Sequence, residues 1–187
     1  MLFRSVSIIQ MTARLDAGGV ILQEAVPIGP NQTAGELEEV LAPLGARLAL
    51  LAADHIAAGT AAPIPQDPSQ VTRAPRVRKE DGRIDWTRTA GQIHDQVRAC
   101  NPWPIAFTEW SRDGKTAVRL QILESRPVAG GGPASAGAVV AVEKDRFEVQ
   151  TGAGRLAVLK LKPAGKPAMD AGAFLRGASL AVGQEFH

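Results

Sequence analysis

The chain has 187 residues, 45% of them apolar, with 21 lysines and arginines against 19 aspartates and glutamates and a net charge of +2. That is enough for one large or two small folded domains with a core. The single cysteine, Cys100, excludes an internal disulfide framework and fits a reducing compartment. The sequence shows no signal-peptide pattern, and no apolar run reads as long enough to span a bilayer, so the cytoplasm is the expected location and no membrane partner is expected. One Cys and three scattered His offer no metal-ligand spacing, and no P-loop or dinucleotide fingerprint is present.

The charge is divided unevenly. Residues 1–70 carry Arg4, Arg14 and Arg47 against seven acids, whereas residues 71–187 carry 18 bases against 12 acids. A basic excess on one small domain fits a polyanion such as RNA, because neutralised phosphates release counterions; it equally fits a solvated surface.

In chain order, Val6–Met11 and Val20–Val26 read as two buried strands rich in β-branched residues. The loop between them contains Leu15-Asp16-Ala17-Gly18-Gly19, whose glycines permit a tight turn that holds Asp16 at the sheet edge. Thr33-Ala34-Gly35-Glu36 has capping-box spacing, and Leu37, Val40, Leu41, Leu44, Leu48 and Leu51 follow on one helical face. Pro43 is expected to kink or break that helix, and Ala57-Ala58-Gly59 to end it. Pro63, Pro65 and Pro68 stiffen the segment that follows.

Arg73, Arg76, Arg78, Lys79 and Arg83 then crowd into eleven positions, interleaved with Glu80 and Asp81. Such a cluster can meet phosphate or can be a salt-bridged connector. Thr89 starts a second helix with Ile93, Val97 and Cys100 on its apolar stripe, and Asn101-Pro102 ends it. Trp103, between two prolines, reads as a core anchor, with base stacking as the alternative.

From Ile105 the period becomes alternating. Strands are expected at Ile105–Trp110, Thr116–Leu123, Gly137–Val142, Arg146–Thr151 and Arg155–Leu161, the first two joined through Asp113-Gly114. Five short strands with tight turns suggest a small closed barrel of oligonucleotide-binding type. Lys160, Lys162 and Lys166 are its best phosphate candidates, with Lys160 and Lys162 on one strand face and Leu159 and Leu161 on the core face. Solvated lysines guarding an edge are the competing reading. Asp170 is placed to cap a final helix that packs through Phe174, Leu175 and Leu180.

Several stretches together resemble one family. Leu15-Asp16-Ala17-Gly18, Thr72-Arg73-Ala74-Pro75, Lys79-Glu80-Asp81-Gly82-Arg83-Ile84-Asp85-Trp86, Asn101-Pro102-Trp103-Pro104 and Pro163-Ala164-Gly165-Lys166 are similar to segments of the methionyl-tRNA formyltransferases. The resemblance implies transfer of a formyl group from 10-formyltetrahydrofolate to the amino group of initiator methionyl-tRNA, without a metal and with no DNA partner. It makes Asp16 the catalytic carboxylate, which orients or receives the proton of the attacking amine. It also favours Arg76, Arg78, Lys79, Lys160, Lys162 and Lys166 as tRNA contacts. The implied fold is the end of a doubly wound α/β formyltransferase domain over residues 1–60, a linker over 61–86 and a β-barrel tRNA-binding domain over 87–187.

One departure stands beside these matches. The family's Asn-x-His pair, which polarises the formyl carbonyl, has no counterpart: neither Asn31 nor Asn101 has a histidine two residues on, and His55, His94 and His187 lie in unrelated segments. Loss of one oxyanion donor of that kind typically costs about a hundredfold in rate. The expectation is therefore a truncated or misassigned reading frame, with a well-formed barrel and a compromised catalytic half.

Overall fold

A computed structural model describes residues 2–111 and 117–187. The expected Asp113-Gly114 turn, and Thr116 at the start of the second barrel strand, lie outside the described residues. The chain divides into two compact units, Met1–Arg76 and Val77–His187.

In the first unit, β1 (Phe3–Ile9) and β2 (Val20–Pro27) pair antiparallel from Phe3↔Pro27 to Ile9↔Val20, with a register shift at Ile8/Ile9. The pairing starts earlier than Val6, because Phe3, Arg4 and Ser5 find partners in Pro27, Val26 and Ala25. Helix α1 (Ala34–Ala57) opens on the expected capping box. The Thr33 hydroxyl accepts from the Glu36 amide, and the Glu36 carboxylate accepts from the Thr33 amide at 2.8 Å. Those contacts hold the Glu36 carboxyl below its ordinary range.

Pro43 does not break α1, which runs unbroken through it. Pro43 and Glu39 are exposed, so the carbonyl deprived of its amide partner can turn to water. Of the six apolar positions expected on the packed face only Leu44 and Leu48 are buried, joined by Ala52, while Val40 and Leu51 face solvent. Contrary to the sequence expectation, α1 is by length and composition apolar enough to cross a membrane, with a mean hydropathy of 1.4 in its most apolar window. It lies against β1 and β2.

The second unit is an antiparallel sheet with two helices. Its strands are β3 (Ala106–Trp110), β4 (Val118–Val128), β5 (Val139–Val142), β6 (Phe147–Gln150), β7 (Arg155–Pro163) and β8 (Met169–Asp170). The order is β3-β4-β7-β6-β5, with β8 beside the second half of β7. Helix α2 (Ala90–Ala99) carries the Thr89/Gln92 capping box and buries Ile93 and Val97. Helix α3 (Ala171–Ala178) begins at Asp170, whose side chain makes no cap bond, and ends at Ser179 in the left-handed region.

The expected closed barrel is not formed by strand pairing among the described residues. β3 and β5 remain the two edges, and each is only four or five residues long. The 183–187 segment reaches both. Glu109 and His187 exchange backbone hydrogen bonds at 2.9 Å, while Val139 donates to Gln184 and Phe186 donates to Gly137. Gly137, at φ +92, leaves no room for a β-carbon against the Phe186 carbonyl.

The core between sheet and helices contains Ile93, Val97, Leu120, Ile122, Val149, Leu156, Val158 and Leu161. Phe147 sits between Phe174 and Phe186, with ring centroids at 6.3 and 5.7 Å. Ile84 and Trp86, just after the basic cluster, belong to this core. Cys100 closes it at the end of α2, where burial pushes its thiol pKa up. Trp103 is not a core anchor: it is 53% exposed, whereas Trp86 and Trp110 are 5% and 6% exposed. Those two are the tryptophans of the core, alongside Phe147, Phe174 and Phe186.

Candidate functional site

Asp16 sits in the loop between β1 and β2. It is exposed and in the left-handed region at φ 53, a conformation Asp tolerates better than most residues. The loop is fastened from outside, since the Gln66 amide donates to the carbonyls of Asp16 at 2.8 Å and Gly18 at 2.7 Å. Gly18 is buried against the Gln10 carbonyl with no space for a β-carbon, and the Gln10 amide donates to Gly19 at 2.9 Å. The expectation of a tight glycine loop thus has a physical basis in these two contacts. Gln66 is the positioning residue that sequence reading missed.

A cleft of about 300 Å³ in this unit is lined by Gln10, Ile21, Ile56, Gly59, Ala61 and Pro63. This is at the small end for a cofactor-sized ligand, and Gln10 is its one polar side chain. By themselves the described residues do not make a folate pocket. Nor do they include a group of three or more His, Cys, Asp or Glu suited to a metal.

The predicted cations fall into separate places. Arg76 is exposed and belongs to the first unit. Arg78 and Lys79, also exposed, open a short 3₁₀ turn (Lys79–Gly82) in the second unit; the Arg78 amide donates to the Asp81 carboxylate at 2.7 Å. This turn is held by α2, from which the Gln96 amide donates to the carbonyls of Asp81 and Arg83 at 2.8 and 2.9 Å. Lys160 and Lys162 are exposed on the outer face of β7, with Leu161 fully buried between them and Leu159 half-buried. Lys166 follows in the turn after β7, where its amide donates to the Pro163 carbonyl and Gly165 takes φ +74.

The sheet register brings some of these together. Phe107 pairs with Gln121 and Gln121 with Lys162, while Arg83 forms a bridge to Phe107. Directly paired residues point to one face, so Arg83 and Lys162 end a single row about 14 Å long at three strand spacings. The same face carries Arg119, whose guanidinium lies 4.1 Å from the centre of the Phe107 ring and 3.9 Å from the Glu109 carboxylate. Arg83 belongs to the basic cluster legible in the sequence, whereas Arg119 is a cation that sequence reading does not single out. The alternation of Arg119 with buried Leu120 and then half-buried Gln121 is the available signal for it. Lys160 stands opposite Glu124 on one side and Asp170 on the other. Among the described residues, none of Arg78, Lys79, Arg83, Lys160, Lys162 and Lys166 is ion-paired to a carboxylate, whereas Arg146 and Arg155 are tied to Glu148.

The described residues thus form a mixed α/β chain whose second unit is built on an antiparallel sheet. Residues 76–179 match the family described as formyl transferase, C-terminal domain, and the chain belongs to that family. It is 38% identical over 183 residues to the methionyl-tRNA formyltransferase of Streptococcus pneumoniae, a match that takes in 97% of this chain and 57% of that protein. The chain thus spans just over half the length of the curated relatives it matches. Solved structures share the fold. HypX from Aquifex aeolicus in complex with tetrahydrofolic acid has a TM-score of 0.63 at 19% identity, covering 94% of this chain and 31% of that one. The sugar 3N-formyl transferase WlaRD has a TM-score of 0.63 at 18% identity, covering 89% and 57%.

Proposed function

We propose that this chain serves methionyl-tRNA formylation at translation initiation in the cytoplasm, and that its own contribution is to hold the initiator tRNA. The observation that carries the reading is the row from Arg83 to Lys162, joined by exposed Lys160 and Arg119 on the outer face of one sheet. Cations held on one sheet face suit a phosphate backbone, and those without a carboxylate partner are the ones whose counterions an RNA would release. The name shared by the curated relatives points the same way. In this reading the second unit is a barrel of oligonucleotide-binding type whose last side is completed by residues 183–187.

The formyl donor in this reading is 10-formyltetrahydrofolate, in line with the folates named for two of the solved neighbours. It supplies an activated one-carbon group. Asp16, on the loop fixed by Gln66, is the carboxylate that accepts or orients the proton lost by the methionyl amine. Arg76, Arg78, Lys79 and Lys166 add phosphate contacts to those on the sheet.

The test is titration of the 187-residue chain with initiator tRNA at several salt concentrations, followed by formylation of charged initiator tRNA with 10-formyltetrahydrofolate. Tight, steeply salt-dependent binding supports the reading. Binding without formylation would leave a non-enzymic tRNA holder. No tRNA binding, or formylation of an amino sugar nucleotide in place of methionyl-tRNA, would overturn it.

A further inference from the structure

Trp103 is the one exposed member of the three tryptophans. Leaving an indole in water forfeits the stabilisation that burial brings, and Trp86 and Trp110 show that this unit does bury its other two. The turn that carries Trp103 is nevertheless well fastened. The Ile105 backbone amide donates to the Cys100 carbonyl at 2.8 Å, closing the segment into a loop, and the Asn101 side-chain Nδ2 donates to the Leu123 carbonyl of β4 at 3.3 Å. Cys100 is anchored in the core on one side and Ala106 on the other. Pro102 and Pro104 flank the indole and restrict its backbone.

The closing residue is held in an unfavourable conformation. Ile105 has φ 68, in the left-handed region, where a β-branched side chain is strained. The Ile105 carbonyl is also the seat of the cationic turn, because Gly82 lies against it with no room for a β-carbon. Lys79 and Arg83, both exposed, bracket that glycine. An exposed aromatic ring and two cations without carboxylate partners are thus borne by two segments that pack closely where Gly82 meets the Ile105 carbonyl.

We infer that Trp103 is a stacking platform for an unpaired base of the bound RNA, with Lys79 and Arg83 meeting the adjoining phosphates. Every base presents a π-face, so such a platform holds single-stranded nucleotides without reading their sequence. A protein partner would use the same ring, but the flanking cations favour a polyanion. This inference rests on the RNA-holding reading above and adds to it a site for an unpaired nucleotide.

The experiment uses the full chain with two probes, a tRNA with its single-stranded 3′ end and a blunt RNA duplex of similar charge, each titrated over a range of salt. Stacking is worth enough that Trp103→Ala is expected to bind the tRNA about tenfold more weakly. Trp103→Phe, which keeps an aromatic face, should retain most of the affinity. Because stacking releases no counterions, the salt slope of Trp103→Ala should match that of the parent chain, whereas Lys79→Ala should lower the slope by about one. The duplex should not distinguish Trp103→Ala from the parent. Unchanged tRNA binding by Trp103→Ala, beside weakened binding by Lys79→Ala or Lys162→Ala, would overturn the platform and leave the RNA-holding reading standing. Equal weakening on the duplex would overturn the platform as well. Failure of the parent chain to bind either RNA would overturn both, and hand the exposed indole to a protein partner.

Discussion

The indole N–H of Trp86 donates to the hydroxyl of Thr108 at 3.0 Å, and that hydroxyl donates onward to the carbonyl of His187 at 3.0 Å. One buried hydroxyl therefore joins the segment after the basic turn to β3 and to the 183–187 segment, which also bonds to β5. Trp86 packs on Phe186, at 6.0 Å between ring centroids, so the polar chain and the apolar contact act at the same seam.

Thr108→Val keeps the shape of the side chain and removes the hydroxyl. It leaves the Trp86 N–H buried without an acceptor, and a loss of about 1–3 kcal/mol is expected. Thr108→Ser should recover most of it. Urea unfolding of the three proteins checks this; a Val variant as stable as the parent would show that the seam does not depend on the bond.

Ile105 offers a test of backbone strain. Gly is ordinarily less stable than Ala by about 0.5–1 kcal/mol within regular structure. At φ 68 the order should reverse, because the left-handed region costs an L-residue roughly 1–2 kcal/mol that glycine avoids. Both truncations remove the isoleucine side chain, so their difference isolates the backbone. Ile105→Gly is expected to unfold at higher denaturant than Ile105→Ala, and the opposite order would refute the strain.

Much of this architecture is legible in the sequence because the signals are local. The Thr33/Glu36 and Thr89/Gln92 boxes announce their helices within four residues, and Lys160-Leu161-Lys162 announces a strand with one wet face. The features that sequence reading misses are long-range. Pairing of residues 183–187 with β3 and β5 spans 44 or more positions, the shortest being Gly183 to Val139, and nothing in Gly-Gln-Glu-Phe-His signals it. The alignment of Arg83 with Lys162 depends on three successive registers. Trp103 reads as an anchor because it is an apolar residue between prolines, whereas the buried strand β3 begins only after it, at Ala106.

The loop bearing Asp16 should be intolerant of a single methyl group. Gly18 is pressed against the Gln10 carbonyl, which is backbone and cannot move aside as a side chain would. Gly18→Ala is expected to destabilise the first unit by about 3 kcal/mol, the upper end for ordinary substitutions. Gln66→Ala, which only frees the two carbonyls it binds, should leave stability near that of the parent while loosening the loop. Hydrogen exchange of the 10–19 amides would separate the two, fast exchange with intact unfolding being the outcome expected for Gln66→Ala.

Asp85 supplies a pH dependence with a fixed sign. Its carboxylate accepts from the Thr87 hydroxyl at 2.6 Å and the Thr87 amide at 3.0 Å, and these bonds, hydroxyl first, hold its pKa below the usual aspartate value. A depressed folded pKa contributes stability above the unfolded pKa that is lost as pH falls through the folded one. The Tm advantage of the parent over Asp85→Ala should therefore be constant near neutrality and shrink in acid. An advantage that persists unchanged below both pKa values would mean that Asp85 acts through packing and not through its charge.

The two lysines of β7 should not contribute equally. Lys162 faces Gln121 across the sheet, an uncharged neighbour, and stands in the row that ends at Arg83. Lys160 lies between Glu124 and Asp170, whose charges already offset part of its own field. On the tRNA-holding reading, Lys162→Ala should lower the slope of log affinity against log salt by about one, the value for a full phosphate contact. Lys160→Ala should lower it by distinctly less. Both side chains are exposed, so neither change should move stability by more than about 0.5 kcal/mol. If Lys160→Ala had the larger effect, the two carboxylates would have to face away from the bound RNA. If neither altered the slope, the outer face of β3, β4 and β7 would not be the phosphate track, and the cations of the 78–83 turn would have to carry it.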